Sequence, residues 1–182
     1  MKLIILDRDG VINRDRDDFV KSADEWVVLP KSADAIAFLN QCGYTVVVAT
    51  NQSGLGRGLF SMHDLNAMHV KMYRTVQQAG GELAGVWFCP HTAEDGCDCR
   101  KPKSGMIEDI VARFGVDPQA IYMVGDSLRD LQAIDALGGH PVLVLTGKGK
   151  STLSQQEDLL PPHTQVFEDL WSFAQNLGEV QA

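Results

Sequence analysis

At 182 residues, 45% apolar and 22% charged, the chain has the length of one ordinary globular domain and enough apolar material for a continuous core. Its formal net charge of −8 argues against a nucleic-acid or anionic-membrane partner. Only four apolar residues separate Met1-Lys2 from Asp7, too few for a signal-peptide core, and no later run approaches membrane-spanning length, so a cytoplasmic protein is expected.

Leu3 to Leu6 is short and aliphatic, which predicts a strand buried on both faces of a parallel sheet. It runs into Asp7 and Asp9, whose spacing points both side chains the same way, in the loop where open α/β sheets bind ligands. Two anions this close repel unless a divalent cation sits between them. On this pair alone, a metal-assisted nucleophile and two ordinary turn residues carry similar weight. The charged stretch Arg14 to Asp24 then reads as a solvated loop or a wall of a site, with Asp15 and Asp18 as candidate substrate contacts. A helix opens at Lys31 or Ser32, with Ala35, Ile36, Phe38 and Leu39 on its apolar stripe, and stops at Gly43.

Tyr44 to Ala49 is a second buried strand, ending in the small donors Thr50, Asn51, Gln52, Ser53 and Gly54, which could hold phosphate oxygens. Ser61 and Asp64 start a helix carrying Leu65, Met68, Met72 and Val76 at helical spacing, closed by Gly80-Gly81. His63 and His69 fall on this helix and have no spaced partner that suggests a metal. A strand and a cysteine loop follow. Cys89, His91, Cys97 and Cys99 lie within eleven residues, a pattern for a Cys₃His zinc site rather than disulfides in a reducing compartment. Asp95-Gly96 offers the turn that folds the loop 89–99 back on itself, and four protein ligands make such a zinc structural. Arg100 and Lys101 come next, fixed positive charge delivered by that loop, while Cys42 sits at a helix end and reads as buried.

Ser104 to Phe114 is helical, and Ala120 to Val124 is a third strand, ending in Gly125-Asp126 with Asp130 shortly after. Helices over 128–137 and 168–177 complete a doubly wound α/β sheet, mainly parallel. Acid, phosphate donors and acid at three strand ends, with a basic loop beside them, describe a Mg²⁺-assisted phosphoryl-transfer site. The intervals from Asp7 to Thr50 and from Thr50 to Lys101 are too short for a cap domain, so residues 1–182 are expected to form one capless domain.

Asp7-Arg-Asp-Gly-Val, Thr50-Asn51, Lys101 and Gly125-Asp-Ser-Leu-Arg-Asp130 resemble, in order, the four motifs of the haloacid dehalogenase-like superfamily of phosphatases. Asn51-Gln-Ser-Gly-Leu-Gly-Arg57-Gly, the Cys/His cluster and Cys99-Arg-Lys-Pro-Lys-Ser-Gly-Met are similar to the branch that acts on heptose bisphosphates or histidinol phosphate. The resemblance implies a Rossmann-like fold and an aspartyl-phosphate on Asp7, with Asp9 as general acid and then base. It implies Mg²⁺ on the Asp7 carboxylate, the Asp9 carbonyl and Asp126, with Asp130 in support, and Thr50, Asn51 and Lys101 on the phosphate. Gln52, Ser53, Arg57 and Arg100 are the further substrate candidates. Histidinol enzymes of the branch tend to carry an acidic residue at position 53 and to lose the arginine, so Ser53 and Arg57 favour removal of the C7 phosphate from D-glycero-D-manno-heptose 1,7-bisphosphate. That reaction would feed nucleotide-activated heptose for lipopolysaccharide, and the protein would act as a monomer. A catalytically silent, zinc-stabilised binding protein on the same fold is the reading from another class.

Overall fold

The computed structural model describes residues 1–179. Its strands are β1 (Lys2–Leu6), β2 (Tyr44–Asn51), β3 (Val86–Cys89), β4 (Ile121–Gly125), β5 (His140–Val144) and β6 (Gln165–Phe167). They form one sheet in the order β3-β2-β1-β4-β5-β6 with every pairing parallel. The helices between them are α1 (Ser32–Gln41), α2 (Ser53–Gly56), α3 (Met62–Gln78), α4 (Gly105–Phe114), α5 (Leu128–Asp135), α6 (Gly149–Gln156) and α7 (Leu170–Glu179).

Alternation along β1 divides the interior in two. Ile4 and Leu6 pack with Ile36 and Leu39 of α1, Leu65, Met68 and Met72 of α3, and Phe173 of α7. Leu3 and Ile5 pack with Ile107 and Ile110 of α4 and Ile134 of α5. All four strand residues are fully buried. Each contributes roughly 1.5–3 kcal/mol by leaving water, which is why the strand is uninterruptedly aliphatic.

Strand order reverses between β1 and β4, and at that switch point a cleft opens past the carboxyl ends of the strands. The ladder extends one residue further, since the Asp7 N–H donates to the Val124 carbonyl at 2.9 Å. Asp7 is thereby set at the foot of the cleft beside Asp126.

Several element ends differ from the sequence reading. Helix α7 starts at Leu170 rather than 168 because the Asp169 carboxylate accepts from the Ser172 N–H and hydroxyl, both at 2.8 Å. Strands β5 and β6 and helices α2 and α6 were not legible. β5 opens on His140-Pro141, and β6 and α2 have three and four residues, too few to show a period. The long connection from β1 to α1 is held down by Lys71 of α3, whose ammonium donates to the Ala23 and Trp26 carbonyls at 2.7 and 2.8 Å.

Candidate active site

Four buried charges sit at the foot of the cleft. The Lys101 ammonium, 1% exposed, lies 3.0 Å from Asp7 Oδ1 and 2.6 Å from Asp130 Oδ1, and donates to the Ala49 carbonyl at 2.7 Å. Asp7 Oδ1 also accepts from the Arg8 N–H at 2.8 Å, so Oδ2 is the oxygen left for chemistry. Asp130 caps α5: its Oδ2 accepts from the Ser127 N–H and hydroxyl at 3.1 and 2.7 Å. Asp126 follows β4, its Oδ2 accepting from the Lys148 N–H at 2.8 Å. Gly10 and Gly147, both with positive φ, press so closely on that carboxylate that a Cβ on either would collide with it.

Oxygens of Asp7, Asp126 and Asp130 lie within 4.8 Å of one another. Burial, then the Asp130 charge, pushes the Asp7 carboxyl up to about 6 against the pull of Lys101. Burial, then Asp130 and Asp7, raises Asp126 well above the ordinary range. Burial would raise Asp130 too, but Lys101 and Arg129 outweigh it and hold Asp130 low. One ammonium, paired with Asp7 and Asp130, thus sits in a cluster of three carboxylates, an excess of hard negative oxygen that suits a divalent cation such as Mg²⁺.

Asp9 is held differently. Its Oδ1 accepts from Asn13 Nδ2 at 2.8 Å, its Oδ2 from Gln52 Nε2 at 2.9 Å, and the Arg8 guanidinium donates to both oxygens at 3.0 Å. Burial alone would raise its pKa, but Arg8 and the two amides reverse that and keep Asp9 an anion. Gln52 also donates to Thr50 Oγ1 at 2.9 Å and accepts from Arg8 at 3.2 Å, so it braces the site rather than offering a free amide to substrate. Asn51 departs from expectation in the same way. Its Nδ2 donates to the Lys101 carbonyl at 3.0 Å and its Oδ1 accepts from the Lys101 N–H at 3.1 Å, which clamps the basic loop to β2.

The cleft encloses about 250 Å³, the scale of a small molecule. Thr50, Asn51, Gln52, Ser53, Arg57, Arg100 and Lys101 line it, together with Asp7, Asp9, Asp15 and Asp126. Asp18 does not. Its carboxylate is taken by Arg16 at 2.9 Å and Lys21 at 3.0 Å, and Asp17, Arg16 and Phe19 form that wall instead. Phe19 has φ 68°, a left-handed conformation that a bulky residue adopts only under constraint. Asp15 reaches across to Lys148 at 3.3 Å. Arg129 and Lys148 complete the rim, and no motif in the sequence marks either as a rim residue.

Beside the cleft, Cys89, His91, Cys97 and Cys99 converge. Cys99 Sγ lies 3.2 Å from Cys89 Sγ, 3.6 Å from Cys97 Sγ and 3.3 Å from His91 Nδ1, and Cys89 Sγ is 3.6 Å from Cys97 Sγ. These separations are well beyond a disulfide and near the edge of about 3.8 Å expected for thiolates around a tetrahedral zinc. Burial, then the proton that the Cys89 thiol shares toward Cys99, pushes Cys89 up to about 12. The loop folds back through a 3₁₀ turn, Ala93–Asp95, capped by Thr92 with Asp95 and ended by Gly96 at φ 64°. Arg100, directly after it, donates to the His91 carbonyl at 3.3 Å.

The HAD-hydrolase-like family model matches residues 98–173. The chain is 65% identical over its whole length to the D-glycero-beta-D-manno-heptose-1,7-bisphosphate 7-phosphatase of Neisseria meningitidis serogroup A, covering 97% of that protein. The chain belongs to the heptose bisphosphate phosphatase family of haloacid dehalogenase-like hydrolases. Solved structures of two family members agree. The Bordetella bronchiseptica D,D-heptose 1,7-bisphosphate phosphatase, complexed with magnesium and phosphate, superposes with a TM-score of 0.96 at 55% identity over 99% of both chains. The Burkholderia thailandensis enzyme does so at 0.78 and 51%, over 97% of this chain and 98% of that one.

The protein is therefore a phosphomonoesterase, on a Rossmann-like sheet. No helix among the described residues is long and apolar enough to cross a membrane. The sequence also gives no sign of the braces, Arg8 and Asn13 around Asp9 and His69 behind Arg8.

Proposed function

We propose that the chain removes the C7 phosphate of D-glycero-β-D-manno-heptose 1,7-bisphosphate through a covalent intermediate on Asp7. The observation that carries this reading is one open carboxylate oxygen at the foot of a small cleft with a cationic rim. Asp7 Oδ2 attacks phosphorus in line, forming the new O–P bond as the bond to the C7 oxygen breaks. Asp9 acts as acid only after its carboxylate leaves its donors and takes up a proton from solvent; it passes that proton to the departing oxygen and then, as the anion again, takes one from the water that cleaves the aspartyl-phosphate. Lys101 and Thr50 face the charge on the transferring phosphoryl oxygens. The Asp7 and Asp126 carboxylates and the Asp9 carbonyl are the groups to hold Mg²⁺, which supplies charge neutralisation as phosphate and nucleophile approach. Asp130 acts on that site indirectly, by fixing Lys101.

Substrate identity rests on the rim. Arg57 and Arg100, which line the cleft with Ser53, suit the second phosphate of a bisphosphate and repel the amine of histidinol phosphate. Relatives of the same length carry the β-heptose bisphosphate in their names. We expect kcat/KM to rank the β anomer first, the α anomer second and histidinol phosphate last. A preference for histidinol phosphate would overturn the assignment and leave the chemistry standing.

The Cys/His cluster is read as structural zinc, with Cys89, His91, Cys97 and Cys99 as ligands, in a monomeric enzyme of the cytoplasm. Freshly purified, reduced protein should carry close to one zinc per chain that survives removal of Mg²⁺. Cys97→Ser should lose it and lower both Tm and kcat, because Arg100 and Lys101 hang directly on this loop. Elemental analysis that finds no zinc in the parent sinks the idea.

A further inference from the structure

His69 is a buried, titratable side chain on α3 that the mechanism above does not use. Its Nε2 lies 3.3 Å from Arg8 Nη1. An arginine can only donate, so Nε2 accepts and the ring proton sits on Nδ1. Burial, then the Arg8 charge, lowers the His69 pKa to about 4, which agrees with a neutral, accepting imidazole.

Arg8 itself is fully buried. Its Nε and Nη2 reach Asp9 at 3.2 and 3.0 Å, and Nη2 also donates to Gln52 at 3.2 Å. Among the described residues, His69 is the partner of Nη1. The guanidinium is a rigid planar fork, so its orientation is set at all three nitrogens together. Without an acceptor for Nη1, a buried donor is left unpaired at a cost of about 1–3 kcal/mol, which favours turning the fork toward another acceptor. Turning carries Nε and Nη2 off the Asp9 carboxylate and withdraws the Arg8 bond that orients Gln52.

We propose that His69 is a positioning residue, which through Arg8 holds the Asp9 carboxylate in the orientation from which it takes the proton of the hydrolytic water. The proposal deepens the reading of Asp9 as base in the second step and rests on it. In that step the water oxygen bonds to phosphorus, its proton passes to Asp9, and the phosphorus–Asp7 oxygen bond breaks to give phosphate and free carboxylate.

The test uses the full-length enzyme with Mg²⁺ and p-nitrophenyl phosphate, whose leaving group needs no protonation, so that the first step is insensitive to Asp9. In His69→Met, an apolar side chain without a comparable acceptor, the second step slows alone. We expect kcat to fall roughly tenfold with KM falling in parallel, kcat/KM within about twofold of the parent, and a burst of p-nitrophenol approaching one per enzyme. In His69→Gln, whose amide oxygen can accept from Nη1, most of kcat should return. Equal losses in kcat and kcat/KM, no loss at all, or a Gln variant as slow as Met each overturn the proposal. Should the Met variant not fold, His69→Asn, too short to reach Nη1, takes its place with the same outcomes. Asp9→Asn tests the underlying reading separately: it must show the burst without turnover. If it does and the His69 variants do not, His69 is not a positioning residue. If it does not, the role of Asp9 is wrong and the proposal falls with it.

Discussion

Asp7→Asn is expected to lower kcat by more than about three orders of magnitude while leaving the fold intact. The amide is nearly isosteric, and its oxygen still accepts from the Arg8 N–H and from Lys101, but it cannot attack phosphorus. The same variant should be more stable than the parent in Mg²⁺-free buffer at neutral pH. Folding raises the Asp7 carboxyl from 3.8 to about 6, so the ionised form opposes folding. That penalty is absent below the lower value, grows between the two and is complete above the upper one. Removing it gains on the order of 1–3 kcal/mol, a few degrees in Tm, and the gain should vanish in acid. Thermal melts with zinc left in place would show it, and added Mg²⁺ should erase it by stabilising the parent alone. An Asn variant that turns over at more than a trace rate would rule out the covalent mechanism. One that melts lower than the parent at neutral pH would rule out the electrostatic account.

Positions fixed by chain geometry were legible in the sequence. A buried parallel strand ending in acid puts that acid at the carboxyl edge of the sheet, and Asp7 and Asp126 both lie there, on either side of the β1–β4 switch point. The convergence of the cysteine loop was legible because Cys89, His91, Cys97 and Cys99 are closely spaced, and the end of β3 and the Asp95-Gly96 turn bring them together. What the sequence left ambiguous is the direction of amides and guanidiniums. Asn51 and Gln52 look like donors to phosphate, yet their amides are engaged by Lys101 and by Asp9 with Thr50. Arg8 sits in a bend between two catalytic candidates, and its guanidinium folds back onto the Asp9 carboxylate. Its partner His69 is 61 residues away on another element, a contact that no local spacing reveals. In the 14–24 loop, which carboxylates face the cleft depends on turns such as the left-handed Phe19, so the sequence does not show that Asp17, and not Asp18, lines the wall.

Lys101→Met should damage stability and activity by separable routes. The ammonium is buried between Asp7 and Asp130, and its own pKa is raised because those two charges outweigh the cost of burial. An isosteric apolar chain removes that compensation while both carboxylates stay in place. Breaking a buried pair from one side typically costs about 3–5 kcal/mol, and here two anions lose a shared partner. Part of the cost will be relieved by protonation, so the loss should be smaller in acid than at neutral pH. Adding Asp130→Asn to the variant drops one of the two charges, and the new side chain keeps an oxygen for the Ser127 cap. The double variant should therefore recover most of the lost Tm. Activity should not recover, because the positive charge facing the transferring phosphoryl group and the donor that orients Asp7 are both gone. Urea midpoints and kcat for the parent, Lys101→Met and the double variant decide the matter. Recovery of turnover along with stability would show that Lys101 serves only as a structural counter-ion.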